Sequence, residues 1–223
     1  MSARRADVTA ALASLKRQGS KVHREGYTRY GIQAAKAFGV PMKDIQALAK
    51  TIGRSHELAE ALWQTGWYEA RLLSSYVDEP ARVTSRQMDR WCRDFDNWGV
   101  CDTVCFSLFD RSPHAWTKVK KWSVSREEFV KRAAFALLAS IALHDKKAPD
   151  QPFLDCLPLI EQASADERNF VKKGVSWALR SIGRRNPRMR AKTIALAARM
   201  ARSSEAGPRW VGKDALRDLS RAS

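Results

Sequence analysis

Two short segments hold the residues with the clearest chemical potential. In Asp96-Asn97-Trp98-Gly99-Val100-Cys101-Asp102, a tryptophan and an aspartate stand four positions apart. A helix capped by Asp96 or Asn97 places Trp98 and Asp102 on one side of its first turn and a half. The apolar stripe of that helix runs through Cys101, Cys105, Leu108 and Phe109, and Asp102 borders it. A carboxylate at the edge of a core costs desolvation unless a cation meets it. Such a group could stabilise positive charge that develops on a substrate and orient an attacking water. It could also serve its own helix N-terminus, or pair with a neighbouring helix.

The second segment is Asn169 to Gly183. Val171, Val175, Ala178, Leu179 and Ile182 make one apolar stripe at helical period. Trp177 lies about 160° from Val175, and Lys173, Arg180 and Arg184 share its side. An indole flanked by cations, opposite a core face, suits a nucleic-acid backbone. The same position suits packing on a neighbouring helix pair, where the tryptophan would be core. Arg132 belongs to a helix whose stripe is Val130, Ala134, Leu137, Leu138 and Ile141. It falls on the other side, near Ala136 and Ala139. Small neighbours leave room for a ligand's backbone, and the guanidinium fork suits phosphate. A solvated surface arginine is the plainer reading. Trp210 and Lys213, near the C-terminus, fit either a core or a DNA contact. Glu69 and Arg71 read as structural ion-pairing residues, and His144-Asp145-Lys146-Lys147 as a polar helix end.

The elements that must position these residues are all helical. No stretch alternates with period two. Helical stripes place helices over 5–17, 21–37, 41–52, 55–64, 67–77, 84–95, 98–110, 112–121, 125–143, 151–164, 166–184, 188–202 and 208–221. Pro80, Pro113, Pro149 and Pro187 punctuate the joins. No linker or low-complexity tract interrupts the chain, so residues 1–223 read as a single domain. A weak internal repeat is visible. Lys131 to Ser140 can be laid on Lys172 to Ser181, and a further equal step reaches Lys213 to Ser220. The period, about 41, lies in the range of HEAT and armadillo repeats, so the architecture expected is all-α, a solenoid of helix pairs.

Composition limits the partners. Lys and Arg number 40 against 24 Asp and Glu, a formal charge of +16, which favours a polyanion. No apolar run approaches the roughly 18 residues of a spanning helix, so no membrane partner is expected. Cys92, Cys101, Cys105 and Cys156 form no CxxC pair and read as small buried residues of a reducing, cytoplasmic compartment. Neither a metal nor a cofactor is expected. Met1 to Lys16 lacks the pattern of a secretory signal, because Asp7 and Lys16 interrupt or close its apolar run. GxGxxG, P-loop and GxSxG motifs are missing, which removes support for nucleotide hydrolysis and serine-hydrolase chemistry.

In their order and spacing these segments resemble the HEAT-like-repeat DNA alkylation repair proteins, the AlkD family of alkylpurine DNA glycosylases, over roughly residues 35–222. The resemblance is carried by Phe38-Gly39-Val40-Pro41, Trp98 to Asp102, Arg132-Ala133-Ala134, Lys173 to Arg180, and Asn186-Pro187. It implies a superhelix of antiparallel helix pairs with a basic concave face, lined by Trp98, Asp102, Arg132 and Trp177. It further implies a monomer that excises cationic N3- or N7-alkylated purines from double-stranded DNA in base-excision repair. Asp102 would stabilise the oxocarbenium-like state, with Trp98 and Trp177 against the sugar. Arg132, Lys173, Arg180, Arg184 and Lys213 would contact DNA. Where the family's characterised glycosylases carry Pro-x-x-Arg, this chain has Pro41-Met42-Lys43-Asp44, without the arginine. The family also has members without detectable glycosylase activity. The resemblance therefore implies an alternative, a non-catalytic module that binds DNA or structured RNA.

Overall fold

The computed structural model describes residues 2–221, with side chains from residue 7 onward. Its helices are α1 (Ser2–Gln18), α2 (Lys21–Gly26), α3 (Met42–Ile52), α4 (His56–Trp63), α5 (Tyr68–Val77), α6 (Ser85–Arg93), α7 (Trp98–Ser107), α8 (Ala115–Ser123), α9 (Glu128–His144), α10 (Gln151–Leu154), α11 (Leu157–Ala163), α12 (Asn169–Gly183), α13 (Pro187–Ala201) and α14 (Ala206–Arg221). Short 3-10 turns add to these, and no strand occurs among the described residues. The chain divides into two compact units, Met1–Ser112 and Pro113–Ser223.

In the first unit, α3, α4 and α5 pack together and α7 lies against α5. The core is aromatic. The Trp63 and Trp91 rings stack 4.0 Å apart and nearly parallel, and the Trp63 indole N–H donates to Asp94 at 2.8 Å. Helix starts are set by side-chain caps. The Ser55 hydroxyl accepts from the Leu58 amide, and Thr84 with Gln87 forms a capping box at α6. The expected helix over 21–37 ends early. α2 stops at Gly26, one 3-10 turn covers Tyr27–Tyr30, and the backbone turns left-handed at Gly31. Beyond the break the Lys36 carbonyl accepts from the Tyr68 amide, and the amides of Phe38, Gly39 and Val40 serve a long-range partner described below.

The second unit consists of three successive helix hairpins: α8 with α9, α10 and α11 with α12, and α13 with α14. α12 is its centre, packed against α9, α11, α13 and α14. Glu128 and Asn169, which open α9 and α12, stand 41 residues apart, matching the repeat in the sequence; Ala206 opens α14 37 residues later. The expected helix over 151–164 is split at Asp155 and Cys156, just before Pro158, which has no amide to continue it. Arg185 ties the hairpins together at one end. Its guanidinium lies 3.9 Å from the Phe153 ring centre and donates to the carbonyls of Ala142, Asp145 and Ala148 at 3.2, 2.7 and 2.7 Å. That arrangement fixes the polar segment after α9.

Candidate nucleic-acid interface

The first unit contributes α7. Asn97 caps it, its side-chain oxygen accepting from the Val100 amide at 3.0 Å. The stripe of Cys101, Cys105, Leu108 and Phe109 is fully buried, as its spacing requires. Trp98 and Asp102 are both half-buried, one turn apart on a single side of the helix. The Trp98 indole N–H donates to the Tyr30 carbonyl at 2.7 Å, which fixes the ring plane. Burial pushes the Cys105 thiol well up, and the charge of Asp102, three residues earlier, adds to the effect. The carboxylate thus sits at the border of the apolar stripe.

The segment around Phe38-Gly39-Val40 is organised by a residue that the sequence reading treated as ion-paired. Glu69 is fully buried and has no ion pair among the described residues. Its carboxylate instead accepts from the amides of Phe38, Gly39 and Val40, at 3.0, 2.6 and 3.3 Å, and from the Tyr27 hydroxyl at 3.0 Å. Convergent donors of this kind hold a buried anion without a cation. Gly39 meets the geometry with a φ of 82°, and a Cβ there would collide with the Ser20 carbonyl. The Phe38 ring stacks on Trp67 at 4.0 Å. Burial, and then the charge of Glu69, pushes both the Tyr27 and Tyr68 hydroxyls far above the usual tyrosine range. Arg71 likewise makes no ion pair among the described residues; it donates to the Asp94 carbonyl and lies over the Trp63 ring. The only local sign of Glu69's role is a glutamate set among the apolar residues of α5.

In the second unit the predicted stripe of α12, Val171 to Ile182, is fully buried. The opposite side is the open one. Lys173 and Arg184 are exposed there, and Trp177 and Arg180 are half-buried. The Trp177 indole N–H has no hydrogen-bond partner among the described residues. Two of these cations are already engaged. Arg180 lies 3.2 Å from Asp218 and 3.8 Å from Asp214, and Arg184 lies 2.6 Å from Asp218. Asp214 also holds Arg217 at 2.5 Å and accepts from the Ser176 hydroxyl at 2.6 Å. These aspartates were not singled out in the sequence. Their signal was the spacing, since Ser176–Asp214 and Arg180–Asp218 repeat one offset of 38 residues.

Arg132 is only 6% exposed. Its guanidinium donates to the Phe170 carbonyl at 2.6 Å and lies 5.9 Å from the Phe170 ring centre. The small residues beside it admit α12, whose close packing also buries every α9 residue from Arg132 to Ala142. Lys131 pairs with Asp166 at 2.9 Å, and Lys172 sits 5.2 Å over the half-buried Trp210 ring. Lys213, on α14, is exposed. The accessible groups at the predicted positions in this unit are therefore Lys173, Trp177 and Lys213, with Arg180 and Arg184 present but partly neutralised. No described helix is long and apolar enough to cross a membrane, and all four cysteines are buried thiols.

No curated protein sequence matches the chain significantly. One solved structure is described as a new family of proteins related to the HEAT-like repeat DNA glycosylases with affinity for branched DNA structures. It aligns over 96% of this chain and 94% of that chain, at 19% identity and a TM-score of 0.80, so the HEAT-like fold is shared. A designed armadillo repeat protein aligns over 80% of this chain and 94% of that one at 12% identity, with a TM-score of 0.35, too low to bear on the fold. A family model for DNA alkylation repair enzymes matches residues 11–219, and the chain belongs to that family.

Proposed function

We propose that this protein is a DNA glycosylase that hydrolyses the N-glycosidic bond of cationic N3- or N7-alkylated purines in duplex DNA. The observation that carries the reading is the Trp98–Asp102 pair, half-exposed and one turn apart on α7, in a chain of the alkylation repair family. An alkylated purine already bears positive charge and leaves easily, so the protein need supply little acid catalysis. Bond cleavage builds positive charge on the deoxyribose, as in other glycosidic hydrolyses. Asp102 would stabilise that charge and orient water, and the Trp98 face on the same helix would add cation–π attraction of about 0.5–2 kcal/mol; in the second unit, Trp177 would pack against the DNA. Lys173 and Lys213 would hold phosphates as point charges. Arg132 would act from behind, by holding α12 and hence Trp177 in place.

Release of methylated purine from alkylated duplex DNA tests the reading. The wild type is expected to release base, Asp102→Asn to lose about 100-fold or more in rate at unchanged DNA affinity, and Trp177→Ala to lose less. A folded wild type that binds DNA and releases nothing defeats the enzyme reading. A non-catalytic DNA-binding module then remains, a second reading favoured by the branched-DNA affinity ascribed to the structurally similar protein.

A further inference from the structure

A place on a helix does not by itself aim a tryptophan ring. The second side-chain torsion of tryptophan is broad, so α7 sets where Trp98 begins but not which way its indole faces. The indole has a single polar donor, and its bond to the Tyr30 carbonyl at 2.7 Å supplies the missing restraint. That carbonyl belongs to a 3-10 turn, Tyr27–Tyr30, in which no residue is buried. So exposed a turn can hold an indole only if it is itself anchored. Two sets of contacts anchor it, and both lead into the core of the first unit. On one side, the Ile32 amide returns to the Tyr27 carbonyl at 3.1 Å, and Ile32 is buried. A Cβ on Gly99, the residue after Trp98, would lie 3.0 Å from the Ile32 side chain and 2.6 Å from the Tyr68 hydroxyl, so the first turn of α7 closes tightly on this segment. On the other side, the Tyr27 hydroxyl donates to Glu69 at 3.0 Å and to the Val40 carbonyl at 3.2 Å.

We infer that Tyr27 is a positioning residue for the Trp98 ring, acting through the Tyr30 carbonyl from its anchor on Glu69. The inference deepens the glycosylase reading and rests on it for the part that Trp98 plays beside the sugar. Glu69 is a firm anchor, because the amides of Phe38, Gly39 and Val40 already hold its carboxylate. A hydrogen bond to a charged acceptor is also roughly twice as strong as a neutral one. The Tyr27 hydroxyl is engaged inside the protein, with Glu69 and Val40, and so acts on the chemistry only through the turn that it holds. Ile32 and Gly99 seat the start of α7, whereas Tyr27 fixes the carbonyl that aims the ring. A misplacement of about 1 Å can cost a reaction about 100-fold, and the loss of one restraint among several is expected to cost about 10-fold.

The test is Tyr27→Phe, which keeps the ring and removes only the hydroxyl. In protein carrying 5-fluorotryptophan, the Trp98 fluorine resonance is identified by its absence from Trp98→Phe. Tyr27→Phe should shift or broaden that resonance while those of Trp63 and Trp91, stacked in the core, hold. It should also lower the single-turnover rate of methylpurine release about 10-fold, with duplex DNA affinity within about twofold of the wild type. In the Trp98→Phe background the same substitution should change the rate by less than about twofold, because the N–H through which it acts is gone. An unmoved Trp98 resonance overturns the inference, as does an unchanged rate in an active protein or a pair of losses that add in the double variant. Tryptophan resonances that all move together overturn it in favour of a general loosening of the unit. A wild type that releases no base defeats the glycosylase reading instead, and the Trp98 resonance then decides the positioning role alone.

Discussion

A carboxylate removed from water is tolerated only where donors replace that water, and Glu69 has three amides and a phenol. Glu69→Ala would strand those amides in the core. At 1–3 kcal/mol for each buried group left unpaired, a loss of at least about 3 kcal/mol is expected, a fall of roughly 6–12 °C in Tm. A fall under 2 °C by thermal melting would show that the segment re-forms without the anion. Glu69 illustrates what was illegible at this scale. Its partners lie 29–42 residues away and are mostly backbone amides, which carry no side-chain signature. Trp98 and Asp102 were legible, because both their helix and their shared side follow from local spacing. The cysteines were legible for the same reason. Burial raises the Cys105 thiol and brings Cys156 to about 11. The native protein should therefore leave a water-soluble thiol reagent unreacted, with all four cysteines appearing only after denaturation.

Among the elements, α12 shows why a helix wheel succeeds for one face and not for its surroundings. The buried stripe of α12 was readable from periodicity, whereas for the side with Lys173 and Trp177 periodicity allowed both an open face and packing on a neighbouring pair. The burial of Arg132 was not, because it depends on how closely α12 approaches α9. The same limit applies to the ion pairs of Arg180 and Arg184, whose partners are on α14. Close approach also governs the last hairpin. Gly212 of α14 faces the backbone of Ala197 and Ala201 of α13, and a Cβ would fall inside it. Gly212→Ala should force the helices apart and cost about 1–3 kcal/mol, read as a lower denaturant midpoint at an unchanged slope. The loop before α12 is set by Asp166. Arg168 and then Lys131 hold its carboxyl well below the usual carboxylate range. A depressed pKa stabilises the fold above the unfolded value of about 3.9, and the benefit is lost as pH falls through the folded value. Asp166→Asn should thus lower Tm at pH 7 and converge with the wild type in strong acid. A gap that persists unchanged at low pH would assign the effect to packing.

At the scale of the molecule, the helical class and the repeat near 41 residues were present in the sequence, since each helix pair buries a stripe and the pairs recur. The irregular spacing of the last pair, and the early end of the second helix, came from contacts that no window of sequence contains. The net charge of +16 indicated a polyanionic partner but not how that charge is distributed. The structure answers part of that question with Asp218, which is shared by Arg180 and Arg184. Its consequence lies in how binding responds to ionic strength. A cation that meets phosphate displaces counterions condensed on DNA, and each one adds about 0.9 to the slope of log affinity against log salt. Arginines already neutralised within the protein displace fewer. Asp218→Asn should therefore tighten DNA binding at 50 mM salt and steepen the slope by about one to two. The native carboxylate, on this account, makes the protein's hold on DNA less sensitive to salt than its formal charge suggests.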